Sequence, residues 1–287
     1  MCTSPIWIRN RRYCDKDGIP HLCKSDLYKS NLALSPWDIS RQWIMVPCGK
    51  CDECLKKARN DWYVRLEREL AYCKHHHLQS QFVTITIAPK YYEMAFNNPS
   101  TFIRMFNERI RHHLGRSVKH AFFQEFGSHP STGNQPRLHF HGFLFRCSHH
   151  YNVIRKCIGD LGFLWLAPAT HKRARYVVKY VVKELDIYTP SGAKIVGCTD
   201  KRFRRKFISP QVGNYLGIQP RPSFRVRTWN YMDFKTGRTF KYTIPRYYDR
   251  YLSEADQVRR KVRPEYKQLP QDRNQSGLQD GYAVPHR

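Results

Sequence analysis

The sequence predicts an α+β fold: a ferredoxin-like split βαβ core with a central antiparallel sheet and helices on one face, plus a Cys-rich N-terminal segment and a basic C-terminal extension. Three observations carry this. Gln81-Phe82-Val83-Thr84-Ile85-Thr86-Ile87 is a β-branched run in which Thr alternates with Val and Ile. Two further strand-like runs, 119–126 and 137–145, are separated by a loop rich in Gly, Pro, Ser and Asn and read as a long-looped hairpin. Helix-period segments fall between and after these runs, giving the order β-α-β-β-α-β-α.

The elements follow in chain order. The first 60 or so residues are rich in Cys, Trp, Pro and charge without a sustained period, and read as loop. Residues 60–72 form a helix, with Trp62, Leu66, Leu70 and Ala71 on one stripe and Arg65, Arg68 and Glu69 off it. The strand at 81–87 stops at Pro89, and Ser100 can cap a helix to about Leu114 whose Phe102, Ile103, Phe106 and Ile110 share a face. After the hairpin come a helix near 151–157, a short strand at 162–166 and a helix over about 172–185. The expected divisions are 1–75, the Cys-rich segment and its helix; 76–198, the core; 199–252, the basic aromatic extension; and 253–287, a polar tail.

Charge sets the partner class. With 50 Lys and Arg against 23 Asp and Glu, a formal +27, the chain gains most from a polyanion, through counterion release. At 41% hydrophobic and 14% aromatic residues there is material for one sizeable core, which excludes disorder throughout. No run approaches the roughly 18 apolar residues of a membrane span, and the first residues lack a signal peptide's apolar stretch, so the expectation is a soluble, intracellular protein with no membrane partner. Between residues 201 and 250, 13 Lys and Arg face two acids, interleaved with Phe203, Phe207, Tyr215, Phe224, Trp229, Tyr231, Phe234 and Phe240. That pattern suits phosphate contact combined with base stacking, and equally a basic, partly buried β-rich extension.

Arg137-Leu138-His139-Phe140-His141-Gly142 places chemistry on a strand. Residues two apart share a face, so His139 and His141 stand side by side while Leu138, Phe140 and Leu144 point away. Pairing across the 127–136 loop puts Glu125 near His139, with Phe123 on its face and Gln124 opposite. Two neutral imidazoles and a carboxylate suit Mg²⁺ or Mn²⁺ with positions open to a phosphate oxygen. Surface histidines and an exposed strand acid are the plainer alternative. Apolar flanks, and Gly142 removing a side chain beside the site, favour the metal.

The repeat Tyr176-Val177-Val178-Lys179-Tyr180-Val181-Val182-Lys183 has a period of four. On a helix it stacks Tyr176 over Tyr180 and Lys179 over Lys183, with the valines facing the core. Four valines favour a strand, but the period argues for a helix. Alone, the tyrosines would be boundary residues. Beside a divalent ion they become candidate nucleophiles, because the ion polarises a phosphate and lysines stabilise the charge of a phenol whose ordinary pKa is about 10. A phosphotyrosine conserves the bond energy for rejoining. A second tyrosine can attack the next junction while the first holds an end.

Cys48, Cys51 and Cys54 form Cys-x₂-Cys-x₂-Cys, three thiolates within reach of one Zn²⁺; the fourth ligand could be Cys2, Cys14, Cys23 or His21, with Cys2 the expected one and an iron–sulfur cluster the alternative. Cys73, Cys147, Cys157 and Cys198 read as structural, and His75-His76-His77 as a solvated run after a helix.

These residues resemble a family. His139-Phe140-His141 is similar to the His-hydrophobe-His motif of HUH endonucleases, Tyr176 to Lys183 to the double-tyrosine motif of their rolling-circle initiators, and Phe82 to Thr86 to their first strand motif. Pro47 through Cys54 to Arg59 and Trp62, with Ile244-Pro245-Arg246-Tyr247-Tyr248, resembles the initiators of gokushovirus-type microviruses, phages with single-stranded DNA. The resemblance implies an HUH nuclease fold and an enzyme that nicks single-stranded DNA at the viral origin in the host bacterial cytoplasm. It implies a 5′-phosphotyrosine and a 3′-hydroxyl that primes a host polymerase. It carries metal binding to His139 and His141, less directly to Glu125, and nucleophilic attack to Tyr176 and Tyr180. Without a Gly-x-x-x-x-Gly-Lys-Ser/Thr loop, unwinding falls to a host helicase. The rivals are a transposase or relaxase with the same core, and a single-strand-binding protein without catalysis.

Overall fold

In the computed structural model, which describes residues 2–9, 43–126, 138–147, 151–182, 185–189, 191, 193–198, 205–214, 228–232 and 237–261, two short strands appear in the N-terminal segment that reads as loop. These are β1 (Ile6–Arg9) and β2 (Trp43–Val46), antiparallel with Ile6 opposite Val46. Then follow α1 (Asp52–His75), β3 (Ser80–Ile87), α2 (Pro89–Asn97), α3 (Pro99–Leu114), β4 (Lys119–Phe126), β5 (Leu138–Phe145), α4 (Tyr151–Ile158), β6 (Gly162–Pro168) and α5 (His171–Val178). β7 (Leu185–Tyr188), β8 (Lys194–Cys198), β9 (Lys206–Ile208), β10 (Thr228–Met232), β11 (Thr239–Thr243) and α6 (Glu254–Lys261) complete the order. Residues 55–254 form one compact unit, and the described residues among 1–54 and 255–287 form another.

The central sheet has five strands in the order β6-β3-β5-β4-β9, every pair antiparallel. Without the edge strand β9 this is the order of a split βαβ core, consistent with the α+β class that the sequence predicts. Helices cover both faces, not one. Val83, Ile85, Phe122, Phe126, Leu138, Phe140, Leu144, Leu164 and Leu166 point to a core with Phe102, Ile103, Phe106 and Ile110 of α3 and Ile154 of α4. Phe82, Ala121, Phe123, Phe143 and Phe145 point the other way, onto Tyr63, Leu66 and Leu70 of α1 and Ala174, Val177 and Val178 of α5. Alternation with apolar residues in both phases requires cover on both sides.

Several boundaries differ from the sequence reading. α1 runs well beyond 60–72 at both ends, with Asp52 and Glu53 in its first turn and Lys74 and His75 in its last, charges that suit the helix dipole. Pro89 ends a strand and also opens α2, since its fixed φ and missing N–H fit a helix's first turn. Ser100 does not cap α3: Pro99 starts the helix after Asn98, and the Ser100 hydroxyl donates to Asn98 Oδ1 at 2.6 Å. The helix expected to reach Leu185 stops early. α5 ends at Val178, a 3₁₀ turn covers Lys179–Val181, and Leu185 begins β7. The N–H of Val182 bonds Lys179 O three residues back at 3.1 Å; β-branched valines crowd the preceding turn and shorten the helix.

Gly142 also has a different reason from the expected one. A Cβ there would lie 2.0 Å from Ala121 O and 2.8 Å from the Phe122 ring, so β4 excludes a side chain on the face away from the histidines.

After β9, Val64 of α1 packs with Trp229, Ile244 and Tyr248 in a third small core. Phe207 and Tyr242 are partly buried against the larger cores. The described aromatics here are thus largely packed, as the β-rich alternative expects. Phe203, Tyr215, Phe224 and Phe234, the tail after Lys261 and the 127–136 loop lie outside the described residues, as does the Tyr231 side chain. Cys73, Cys147 and Cys157 are buried, and His75, His76 and His77 are exposed. No described helix is long and apolar enough to cross a membrane.

Candidate active site

The two histidines sit near one end of the sheet, where its register brings three strands together. His141 lies opposite Thr84 of β3 and Phe123 of β4; His139 lies opposite Thr86 and Glu125. Directly opposed residues share a face, so the imidazoles, both threonines and the carboxylate stand on one surface. Thr84 Oγ1 is 2.9 Å from His141 Nδ1, and Thr86 Oγ1 is 3.0 Å from His139 Nδ1. When Nδ1 carries the proton and donates to the threonine, Nε2 keeps its lone pair, the form that binds metal. The sequence reading did not single out these threonines. Their signal was the Thr-x-Thr alternation of 84 and 86, which matches His-x-His in period.

The Glu125 carboxylate contacts His141 Nε2, with both side chains largely buried. Burial pushes the Glu125 carboxyl up, but the bond from His141, the His141 charge and a hydrogen bond from Tyr180 outweigh it and hold the carboxyl below its ordinary range. His139 stands further out, its ring 6.1 Å from that of His141. The three side chains face one another, but their donor atoms are not closed to coordination distance.

The tyrosines cover this surface unequally. Tyr180, on the 3₁₀ turn, is 1% exposed and stacks on the His141 ring at 5.3 Å and 11°. Tyr176, in the last turn of α5, is 42% exposed and meets His141 edge-on at 5.8 Å. Their hydroxyls share a hydrogen bond of 2.6 Å. Burial, then the neighbouring Tyr176 and Glu125, raises the Tyr180 hydroxyl far above an ordinary tyrosine. Lys179 Nζ lies 3.8 Å from the Tyr176 ring centre and 4.9 Å from that of Tyr180. Val177, Val178 and Val181 are buried beneath. Lys183 lies outside the described residues.

A second constellation lies in the other unit. Cys2, Cys48, Cys51 and Cys54 hold all four sulfurs within 4.8 Å of one another, the one such group of three or more His, Cys, Asp or Glu among the described residues. Sγ separations are 3.6 Å for Cys2 and Cys48, 3.7 Å for Cys2 and Cys51, and 4.0 Å for Cys48 and Cys54. A tetrahedron of about 2.3 Å Zn–S bonds has edges of about 3.8 Å, so the set could hold a metal such as zinc. Backbone N–H groups of Lys50 and Cys51 donate to Cys48 Sγ at 3.4 and 3.3 Å. Such bonds favour the thiolate: those from Cys51 and Lys50 lower the Cys48 pKa, and those from Cys54 and Thr3 lower Cys51 to about 5. Burial pushes Cys54 up to about 12. Cys14, Cys23 and His21, the other candidates for fourth ligand, lie outside the described residues.

Residues 80–185 match a family model of replication-associated proteins, the ORF2 type. No curated protein and no solved structure matches. The matched span contains His139, His141, Glu125, Tyr176 and Tyr180, and the match supports a replication initiator.

Proposed function

We propose that this chain initiates rolling-circle replication by nicking single-stranded DNA at an origin, as an HUH-type endonuclease with residues 76–198 as its core and the basic 199–252 extension contributing DNA contacts. The observation that carries it is the meeting of two tyrosine hydroxyls, 2.6 Å apart, over a His141 ring whose Nε2 faces the Glu125 carboxylate. On this reading His139, His141 and Glu125 would hold Mg²⁺ or Mn²⁺, which when bound supplies electrophilic activation of the scissile phosphate.

The chain's own groups do the rest. Thr84 and Thr86 fix the imidazole tautomers. The exposed Tyr176 attacks first: its oxygen forms a bond to phosphorus, and the bond to the 3′ oxygen breaks. The 5′ end stays on the tyrosine, and the leaving oxygen takes up a proton to become a 3′-hydroxyl. Lys179, beside both rings, stabilises negative charge on phenolate or phosphate. Tyr180 serves the second transfer, once Tyr176 carries a DNA end and its hydroxyl no longer bonds that of Tyr180. Cys2, Cys48, Cys51 and Cys54 hold a structural zinc. A host helicase and a host polymerase supply unwinding and synthesis.

The test is incubation of the protein with single-stranded origin DNA and Mg²⁺ or Mn²⁺, followed by a denaturing gel. A covalent band that disappears in Tyr176→Phe/Tyr180→Phe is expected. Absence of the band in the wild type overturns the reading in favour of a binding protein.

A further inference from the structure

Aromatic residues able to stack on bases are exposed on β6, outside the segment after residue 200 where composition directs attention. Phe163 is 60% and Trp165 is 45% exposed, while Leu164 and Leu166 between and beyond them are buried in the core on the opposite face. β6 is an edge strand, paired among the described residues only with β3. Trp165 lies opposite Thr84, and Phe163 opposite Thr86. The same threonines lie opposite His141 and His139. Two rows therefore cross the sheet on one face, Trp165-Thr84-His141 and Phe163-Thr86-His139, with the aromatics two strands, or about 10 Å, from the imidazoles.

Large apolar rings exposed at a strand edge invite aggregation unless something uses them. Here the surroundings select the user. The Arg173 guanidinium lies 5.6 Å from the Trp165 ring centre and 5.7 Å from that of Phe82, and the Phe82 ring meets Trp165 edge-on at 6.1 Å. Trp165 is thus held in place with a cation at its side, on a chain of formal charge +27. A flat ring with an adjacent guanidinium fits an unpaired base and its phosphate. Side chains two apart along a strand stand about 6.7 Å from one another, room for one separate base on each.

We propose that Phe163 and Trp165 form a stacking platform for two successive unpaired bases next to the scissile phosphate, with Arg173 contacting the backbone between them. The position of the scissile phosphate rests on the nuclease reading; the platform's preference for single strands does not. A duplex keeps its bases in the stack and gains nothing from it.

The experiment measures fluorescence anisotropy of a labelled mixed-sequence single-stranded oligonucleotide and of its duplex, titrated with full-length protein in EDTA so that no cleavage occurs. Phe163→Ala and Trp165→Ala are each expected to weaken single-strand binding about 5- to 100-fold, with duplex binding unchanged. Trp165→Phe is expected to restore most of the loss, which guards against misfolding of the alanine variant. Single-strand affinity within twofold of wild type in both alanine variants overturns the platform, as does an equal loss on both substrates. Conversion of a wild-type dimer to monomer on gel filtration with DNA binding intact assigns the face to a second copy of the chain and also overturns it. Covalent adduct formation is scored separately with Mn²⁺. Adduct in the wild type with normal binding by the variants removes the platform alone, while selective binding loss with no adduct in the wild type removes the nuclease reading alone.

Discussion

Thr84 and Thr86 decide what the two histidines can do. Each accepts from an Nδ1 and so leaves Nε2 as the donor atom. Thr84→Val keeps the shape and removes the acceptor. We expect Mn²⁺ affinity to fall about 10- to 100-fold with little change in melting temperature, measured by calorimetric titration. His141→Ala should abolish covalent adduct while leaving much of the DNA affinity, because phosphate contacts are distributed over the basic surface; adduct at the wild-type rate would remove the metal assignment. The tyrosines differ in access, 42% against 1% exposed. Tyr176→Phe should therefore lose the first adduct on a single-junction substrate. Tyr180→Phe should form that adduct and fail to yield rejoined circles. A reversal of the two phenotypes on a sequencing gel would exchange their roles.

At the scale of elements, a buried carboxylate ties α1 to the sheet and to the segment after β9. Glu69 is 0% exposed; its Oε2 accepts from Lys119 Nζ and from the Gly213 N–H, both at 2.8 Å. Gly213 has φ +74°, and a Cβ there would lie 2.4 Å from Arg65 O, so only glycine fits against the helix. The Tyr248 hydroxyl donates to Gly213 O at 2.5 Å and closes the third core over the same turn. Removing one partner strands the other, and Glu69→Ala is expected to cost about 3–5 kcal/mol in urea unfolding. A loss below about 1 kcal/mol would mean that water reaches Lys119 and replaces the pair. The helical pattern puts Glu69 off the apolar stripe but carries no sign that the carboxylate is buried, because its partners come from positions 119 and 213.

For the whole molecule, charge and the cysteine cluster set the behaviour. A chain of +27 that tracks a single strand through several phosphates should lose on the order of 100-fold or more in affinity between 50 and 200 mM salt, readable as a linear fall of log K with log salt. A salt-independent affinity would contradict a phosphate-led interface. The sulfur separations suit one tetrahedral ion, so elemental analysis should find about one zinc per chain. Cys51→Ser should lose it together with soluble protein. Well-folded protein without bound metal would return the four cysteines to an unmetallated role.

The sequence alone determined whatever depends on the geometry of a single element. Period two fixes His139 and His141 on one face of a strand whatever surrounds it, and Cys-x₂-Cys-x₂-Cys keeps three sulfurs close by chain length alone. Charge fixed the partner class in the same way, since it needs no fold. Tertiary structure decided the rest. Only strand register puts Thr84 and Thr86 under the imidazoles and Phe163 and Trp165 in line with them. Only packing closes the α5 repeat into a 3₁₀ turn, buries Tyr180 on His141 and leaves Tyr176 open, although the two tyrosines occupy equivalent places in the repeat. The difference is physical: side-chain direction is a local property of backbone dihedrals, whereas burial and pairing depend on which distant segment arrives at the same surface.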